Sequence, residues 1–200
     1  MTPGAVFQKF VPEKAITYCV ELFNVHGFEF KIKKARQTKL GDYRYDPRFK
    51  KHTITINNDL NQYAFLITYL HEVAHLIANK RFGSNIQPHG KEWKESFKKV
   101  ALPVLNEQVF APDVLVALKK YFRNPKATSC SDPELHQLLR SYDPVSDKVL
   151  LKEIKNGECF IFNKRTFKKI DKKRSRSLCE ELSSRKRYLI QEIAEVVRKI

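Results

Sequence analysis

The spacing of apolar residues along the chain predicts five helices. Ile16, Val20 and Phe23 recur at helical intervals in residues 11–26, and Gly27 is expected to end that helix. The second predicted helix is apolar over most of its surface, which is typical of a helix that is buried on most sides. The same periodicity predicts the remaining helices at about residues 62–80, 89–106, 112–122 and 133–139.

Between the first two helices, alternating apolar and polar residues predict three short strands. Phe30 and Ile32 alternate with charged residues, and Tyr43 and Tyr45 do the same after a glycine-containing turn. A β-branched run at residues 53–56 supplies the third strand. Because the connections look too short for crossover helices, we expect an antiparallel sheet and an α+β fold class.

From residue 148 onward the pattern changes to short alternating segments that predict β-hairpins. Asn156-Gly157 and Asn163-Lys164 are turn signals between them, and a last helical turn or strand is expected at 191–200. The order of these patterns predicts three parts, namely a domain at residues 1–125, a connector with a short helix at 126–147 and a β-rich region at 148–200.

The composition adds positive charge to this picture. The 200 residues are 42% hydrophobic, enough for a buried core, and Lys and Arg outnumber Asp and Glu by 38 to 22. Residues 148–200 hold 16 Lys and Arg against 7 Asp and Glu. Such an excess favours anionic partners, with nucleic acid first. No apolar run is long enough to span a membrane and the N-terminus lacks a secretory signal, so the cytoplasm is the expected location.

The candidate chemistry lies in the second predicted helix, which contains the sequence His-Glu-Val-Ala-His. Positions i and i+4 share one helix face, so His71 and His75 can both bind one ion, and Glu72 can reach a water held by it. A chance match on a solvated helix face is the alternative. The apolar surroundings argue against it, since burying these three side chains without partners would cost several kcal/mol.

A catalytic zinc site needs a third protein ligand. His89 is the first candidate, because it lies in the loop between two predicted helices and Gly90 lets the backbone approach closely. Glu92 or Glu95 on the following helix is the second candidate, and Glu107 lies further downstream. An uninvolved surface histidine at position 89 is the remaining alternative.

Together these residues resemble the SprT-like domain, the family of bacterial SprT proteins and of the DNA–protein crosslink protease Spartan. The resemblance rests on His-Glu-Val-Ala-His, on Pro-His-Gly-Lys-Glu-Trp at residues 88–93 and on Leu-Gly-Asp-Tyr-Arg at residues 40–44, within residues 10–125. It implies a zincin-like metalloprotease fold holding one Zn²⁺. The implied ligands are His71, His75 and His89, with Glu72 as general base. Trp93 would pack behind the site or simply belong to the core.

The C-terminal region departs from that resemblance. Many family members carry a zinc ribbon with paired Cys-x-x-Cys motifs, whereas the cysteines here are single. The region resembles a ribbon without its paired cysteines, held together by apolar side chains. Free, buried thiols are the simplest interpretation of Cys19 and the other cysteines. A second metal site is the alternative, formed by Cys130, His136, Cys159 and Cys179.

The basic tail predicts contacts with single-stranded or damaged DNA. Its aromatic residues Phe160, Phe162, Phe167 and Tyr188 could stack on bases, unless they form a core while the cations only solubilise the protein. The candidate phosphate contacts are Arg165, Lys168, Lys169, Lys172, Lys173, Arg174, Arg176, Arg185, Lys186 and Arg187.

The sequence therefore predicts a zinc metallopeptidase that cleaves proteins associated with or crosslinked to DNA. Its substrate would lie extended along a strand edge near the metal helix, and Tyr43, Arg44 and His52 are candidate oxyanion groups. A non-catalytic, zinc-containing nucleic-acid-binding protein is the alternative from another class. A general peptidase that needs no DNA is the third hypothesis.

Overall fold

The structure is a computed structural model that describes residues 2–36, 39–126, 132–144 and 148–199. The chain divides into two compact units, residues 1–143 and 144–200. Helices surround a three-stranded sheet in the first unit, and the second unit contains a six-stranded sheet, which confirms the α+β class. The helices are α1 (Pro3–Phe10), α2 (Ile16–His26), α3 (Gln62–Phe82), α4 (Lys91–Ala101), α5 (Pro112–Tyr121) and α6 (Pro133–Arg140). The strands of the first unit are β1 (Glu29–Lys33), β2 (Gly41–Asp46) and β3 (Lys51–Asn57).

The central helix of the first unit is α3, whose predicted position is confirmed and which extends to Phe82. Asn61 caps it by accepting hydrogen bonds from the backbone N–H groups of Tyr63 and Ala64 at 3.1 and 3.0 Å. Gly83, with φ of 83°, ends it. Although α3 is long and mostly buried, none of the helices that the structure describes is both long enough and apolar enough to cross a bilayer.

The helices differ from the predictions at three places. The helix predicted at residues 11–26 begins later, at Ile16, because a 3-10 turn at Glu13–Ala15 precedes it. The helix predicted at residues 89–106 is shorter, since α4 gives way to a 3-10 turn at Leu102–Val104, where Pro103 has no N–H to continue the α-helical bonds. The sequence pattern did not predict α1, which has only eight residues. Phe7 of α1 is fully buried against Tyr69, with ring centroids 4.9 Å apart.

The prediction of an all-antiparallel sheet was wrong for β1. The strand order is β1-β3-β2, with β2 antiparallel to β3 and β1 parallel to β3. Parallel pairing needs a long connection between the two strands. Here β2 itself provides that connection, because it crosses to the far side of β3 before the chain returns. Strand β2 therefore forms one edge of the sheet and lies next to α3.

The core of the first unit lies between this sheet and the helices. Leu135 and Leu139 of α6 belong to it, so the helix predicted within the connector packs with the first unit. Trp93 and Phe97 of α4 are fully buried against α3. Helix α3 is thus enclosed by β2 on one side and by α4 on another.

The second unit confirms the predicted β-rich character of the C-terminal region. Asn163 and Lys164 have φ values of 52° and 62°, as expected for a two-residue turn between the strands at Cys159–Phe162 and Arg165–Lys173. Phe160, Phe167 and Val196 form its small core. The strands are β4 (Lys148–Leu150), β5 (Cys159–Phe162), β6 (Arg165–Lys173), β7 (Arg176–Glu181), β8 (Arg187–Gln191) and β9 (Glu195–Lys199), in the order β4-β9-β5-β6-β7-β8.

Candidate metal centre

Three histidine side chains converge between α3 and α4. His71 and His75 lie one turn apart on α3, and His89 comes from the loop that precedes α4. The Nε2 atoms of His75 and His71 are 3.2 Å apart, those of His75 and His89 3.0 Å, and those of His89 and His71 3.2 Å. We call this group the histidine triad. It could hold a metal ion, and no other such group occurs among the described residues.

The spacing of the histidine triad fits a tetrahedral ion. Nitrogens bound at about 2.0–2.1 Å in tetrahedral geometry are separated by about 3.3–3.4 Å. Furthermore, an Nε2 atom carries either a proton or a lone pair, so three mutually facing Nε2 atoms cannot all form complementary hydrogen bonds with one another. A cation bound by three lone pairs removes this conflict.

Burial keeps the triad in its neutral, metal-binding form. Desolvation, with additional repulsion from the other two histidines, holds the pKa of His71 well below its usual range. Desolvation, followed by the charge of His89, lowers the pKa of His75 to about 3. Desolvation also lowers the pKa of His89.

Trp93 forms the floor of the site. Its fully buried indole lies 4.7 Å from the ring of His71, 5.3 Å from that of His75 and 4.6 Å from that of His89, measured between centroids. Its Nε1–H donates to the carbonyl of His71 at 3.4 Å. Trp93 therefore has both predicted positions, because it belongs to the core and also packs behind the triad.

Glu72 lies on the same helix with only 6% of its surface exposed. Burial, followed by the negative charge of Asp42, raises the pKa of this carboxyl to about 8. Arg36, Lys39 and a hydrogen bond from the Tyr43 backbone act in the opposite direction. A divalent cation in the triad would also favour the carboxylate. The charge of the Glu72 carboxyl group thus depends on these opposing neighbours.

Gly41 at the start of β2 makes room for Glu72. A Cβ atom at this position would lie 2.5 Å from Oε1 and 2.8 Å from Cγ of Glu72, and 2.7 Å from Cγ2 of Thr68. Any side chain here would displace the carboxyl group. The glycine was noted in the sequence, but this role was not predicted from it.

A hydrogen-bonded loop fixes the start of β2 at this distance. Arg36 donates to Oδ1 of Asn57 at 2.7 Å and to Oγ1 of Thr55 at 3.0 Å. The buried Asn57 in turn donates to the carbonyl of Lys39 at 3.0 Å. The segment leading into Gly41 is thereby tied to β3.

Tyr43 of β2 lies beside the triad, and His52 of β3 contacts Tyr43. The Tyr43 ring is parallel to that of His75, with centroids 6.3 Å apart. Its hydroxyl forms a hydrogen bond with Nδ1 of His52 at 2.8 Å. The third candidate oxyanion group, Arg44, pairs with Asp42 at 2.7 Å and its side chain is 73% exposed. The alternative ligands Glu92, Glu95 and Glu107 do not join the triad.

One predicted nucleic-acid contact in the second unit was wrong. Lys169 is only 3% exposed; its ammonium group donates to the carbonyl of Leu151 at 2.9 Å and lies 3.1 Å from Oε1 of Glu192. Ser177 donates to the same carboxyl oxygen. We call Lys169, Glu192 and Ser177 the lysine cluster. Strand alternation explains why Lys169 is buried, because it shares the inner face of β6 with Phe167.

The other tail residues divide by exposure. Arg165 binds Glu181 through two hydrogen bonds of 2.5 and 2.6 Å and lies 4.7 Å from the centre of the Tyr188 ring. Phe160 and Phe167 belong to the core, which excludes the proposed stacking of these two rings on bases. The exposed predicted contacts are Arg165, Lys168, Lys172, Lys173, Arg174, Arg176, Arg185, Lys186 and Arg187.

The cysteines show no sign of a second metal site in the described part of the chain. Cys130 lies outside the described residues. Cys159 pairs with Lys168 and Cys179 with Lys169 across the sheet, so the two thiols lie on opposite faces. Neither joins His136 in a group of three possible ligands. Cys19, Cys159 and Cys179 are free thiols.

Comparisons with known proteins agree with the geometry of the first unit. A sequence model of the SprT-like family matches residues 11–111. The chain is similar to Protein SprT of Pseudomonas fluorescens, with 38% identity over 61 residues, which are 30% of this chain and 37% of that protein. It is also similar to Protein SprT of Pseudomonas aeruginosa, with 34% identity over 61 residues, which are 30% of this chain and 37% of that protein.

A shorter stretch is more alike. Protein SprT of Pseudomonas syringae is 67% identical over 27 residues, which are 14% of this chain and 16% of that protein. The chain thus matches between 16% and 37% of the length of these relatives. No solved structure matches the chain. Because the family model covers half of the chain and contains the whole histidine triad, the chain belongs to the SprT-like family.

Proposed function

We propose that the chain is a zinc-dependent peptidase with a zincin-like centre, in which Glu72 acts as general base. The observation that carries this proposal is the convergence of three neutral Nε2 atoms within 3.0–3.2 Å of one another. The donor set supports zinc, since three nitrogen ligands leave a fourth position for water or substrate. His71, His75 and His89 would hold the ion.

The chemistry divides between the ion and Glu72. When bound, zinc lowers the pKa of its water to about 7 and polarises a carbonyl oxygen. Glu72 accepts a proton from the attacking water and transfers it to the leaving amine. The close approach of Gly41 and the backbone of Tyr43 keep the carboxyl group in place for both transfers.

The edge strand β2 supports a polypeptide as substrate. It lies at the end of the β1-β3-β2 sheet, next to the helix that carries the triad. An extended chain can pair with the free backbone groups of such an edge. The hydroxyl of Tyr43, held by His52 at 2.8 Å, is our candidate for contacting the developing oxyanion.

DNA-bound or DNA-crosslinked proteins are our proposed substrates. The support is the excess of positive charge, 16 Lys and Arg against 7 Asp and Glu in residues 148–200, most of them exposed. Phosphate contacts of this kind weaken as salt increases. The non-catalytic alternative is less favoured, because a structural zinc site needs no buried Glu72 beside it.

The proposed function can be tested with three proteins: wild type, Glu72→Gln and His71→Ala. Wild type should bind about one zinc and cleave an unfolded protein such as casein. Glu72→Gln should keep the zinc and lose about 10²–10⁴-fold in rate. His71→Ala should lose the zinc. A wild-type protein that binds no added zinc, or full activity of Glu72→Gln, would contradict the proposal.

The role of DNA needs its own comparison. Zinc-loaded wild type is incubated with a DNA-binding protein, with and without single-stranded DNA. We expect faster cleavage when DNA is present, and less stimulation at higher salt. Equal rates in all conditions would leave a peptidase that does not use DNA.

A further inference from the structure

A groove of about 520 Å³ opens beside the metal centre. It begins at His89 and follows α4. The positions 91, 94, 95 and 98 that line it recur at the i, i+3, i+4 and i+7 spacing of one helix face. The groove is lined by Gln87, His89, Lys91, Lys94, Glu95 and Lys98.

The groove carries an excess of positive charge, because three lysines and one glutamate line it. Lys94 donates to Oδ1 of Asn124 at 2.8 Å, and Lys98 donates to the carbonyl of Arg123 at 2.9 Å. Both acceptors are uncharged, so they orient the two ammonium groups without compensating them. Within the described part of the chain, neither lysine forms an ion pair.

The N-terminus of α4 adds to this potential. Gly90 is its N-cap and provides no side-chain acceptor for the first-turn N–H groups. The partial positive charge of the helix dipole at this end adds to the charge of Lys91, and Glu92 in the same turn offsets part of it. The combination makes the groove attractive to anionic groups next to the third histidine.

We propose that this groove is a substrate subsite that selects acidic side chains of a polypeptide. This inference rests on the peptidase function proposed above. Lys94 and Lys98 are four residues apart, which is about 6 Å along a helix. Alternate side chains of an extended chain are about 6.6–6.8 Å apart. The lysine spacing therefore matches two acidic residues separated by one other residue.

Glu95 favours a polypeptide over a nucleic acid in this groove. It lies on the same wall as the lysines and carries the opposite charge. A nucleic-acid backbone has a phosphate at every nucleotide and would meet repulsion at Glu95. A polypeptide carries charge only on certain side chains, so it can reach the lysines without placing an anion against Glu95. The subsite thus selects a pattern of charge as well as its sign.

Binding should be measured without turnover, on the zinc-loaded Glu72→Gln protein. The probes are labelled peptides containing an acidic-x-acidic pattern and matched peptides with Asn and Gln at the same positions. We expect the acidic peptide to bind roughly tenfold more tightly at low salt, which corresponds to two surface charge pairs. Adding Lys94→Glu and Lys98→Glu should abolish the difference. Lys99→Glu is the matched control, because it is an exposed lysine on α4 that does not line the groove.

Equal affinity for the acidic and the neutral peptide would overturn the subsite. So would a loss of peptide affinity in Lys99→Glu as large as that in the double variant. A double variant that loses affinity only for a single-stranded oligonucleotide would overturn it as well. Trp93 fluorescence checks that each variant is folded. Failure of the proposed function looks different, since zinc-loaded wild type would then cleave no peptide of either kind. The binding preference would still be measurable in that case.

Discussion

Each unit holds a polar cluster, buried in the second unit and partly buried in the first, but only the lysine cluster is completed by the protein itself. In the second unit, the ammonium group of Lys169 meets Glu192 at 3.1 Å and the carbonyl of Leu151 at 2.9 Å, and Ser177 donates to the same carboxyl. In the first unit, the three Nε2 atoms of the histidine triad face one another. Buried polar groups normally have partners. The triad therefore indicates a ligand, whereas the lysine cluster indicates structure.

Strand register explains why the lysine cluster is structural. Lys169 precedes an irregularity in the pairing of β6 with β7, between Lys169 and Asp171. Its backbone also exchanges hydrogen bonds with the turn that precedes β5, accepting from Gly157 at 2.7 Å and donating to Glu158 at 3.0 Å. Through its backbone and side chain together, Lys169 thus links β6, this turn and the segment around Leu151. A cation used in this way is not available to a nucleic acid.

Breaking the lysine cluster should have the largest effect on stability. Lys169→Met leaves the Glu192 carboxyl group buried without its cation, and removing one partner of a buried pair costs about 3–5 kcal/mol. We expect the second unit to lose protection in hydrogen exchange by that amount, while zinc binding in the first unit is unchanged.

The double variant Lys169→Met with Glu192→Leu is the control for this prediction. It removes both charges, so much of the stability should return. If Lys169→Met alone is as stable as wild type, the cluster does not hold the second unit together.

Zinc should stabilise the first unit by the next largest amount. A ligand that binds only the folded state at a hundredfold excess over its Kd adds about 2.7 kcal/mol. We expect this gain in denaturant unfolding followed by Trp93 fluorescence, because Trp93 contacts all three histidine rings. His71→Ala should remove the gain. Equal stabilisation of the second unit would contradict the comparison between the clusters.

Local spacing and composition were sufficient to predict which residues form the histidine triad. His71, Glu72 and His75 follow from their spacing within an apolar helix, and His89 from its place in a loop beside Gly90. The contribution of Gly41 could not be predicted, because its 2.5 Å approach to Glu72 depends on how β2 packs against α3. Contacts between elements distant in sequence leave no local pattern.

The fold also has parts that local sequence patterns predict and parts that they do not. Apolar periodicity predicted α3 and the hairpins of the second unit, since each is a local pattern. The parallel pairing of β1 with β3 is a long-range choice that strand patterns do not contain. The burial of Lys169 could have been predicted from the sequence, because strand alternation from Phe167 places Lys169 on the inner face of the sheet. The positive charge of Lys169, taken alone, predicted an exposed phosphate contact instead.

Substitution of Gly41 should sharpen the comparison within the first unit. Gly41→Ala introduces a Cβ 2.5 Å from Oε1 of Glu72 and 2.7 Å from Cγ2 of Thr68. Overpacking of this kind costs about 1–3 kcal/mol. Because Glu72 must move, we expect peptidase activity to fall while zinc binding persists. Thermal unfolding and zinc analysis measure the two effects separately, and undiminished activity would exclude the positioning role of Gly41.

The smallest expected effect is a pH dependence in the second unit. Two hydrogen bonds from Arg165, followed by one from Ser184, lower the pKa of Glu181 to about 2. A carboxyl group with a lowered pKa contributes stability above its unfolded value of about 4.3, and this contribution is lost as the pH falls towards 2. We therefore expect the stability of the second unit to decrease between about pH 4 and pH 2. Glu181→Gln should be less stable at neutral pH but should lack this part of the decline. Parallel curves for the two proteins would show that the Arg165 pair does not set the acid stability of the sheet.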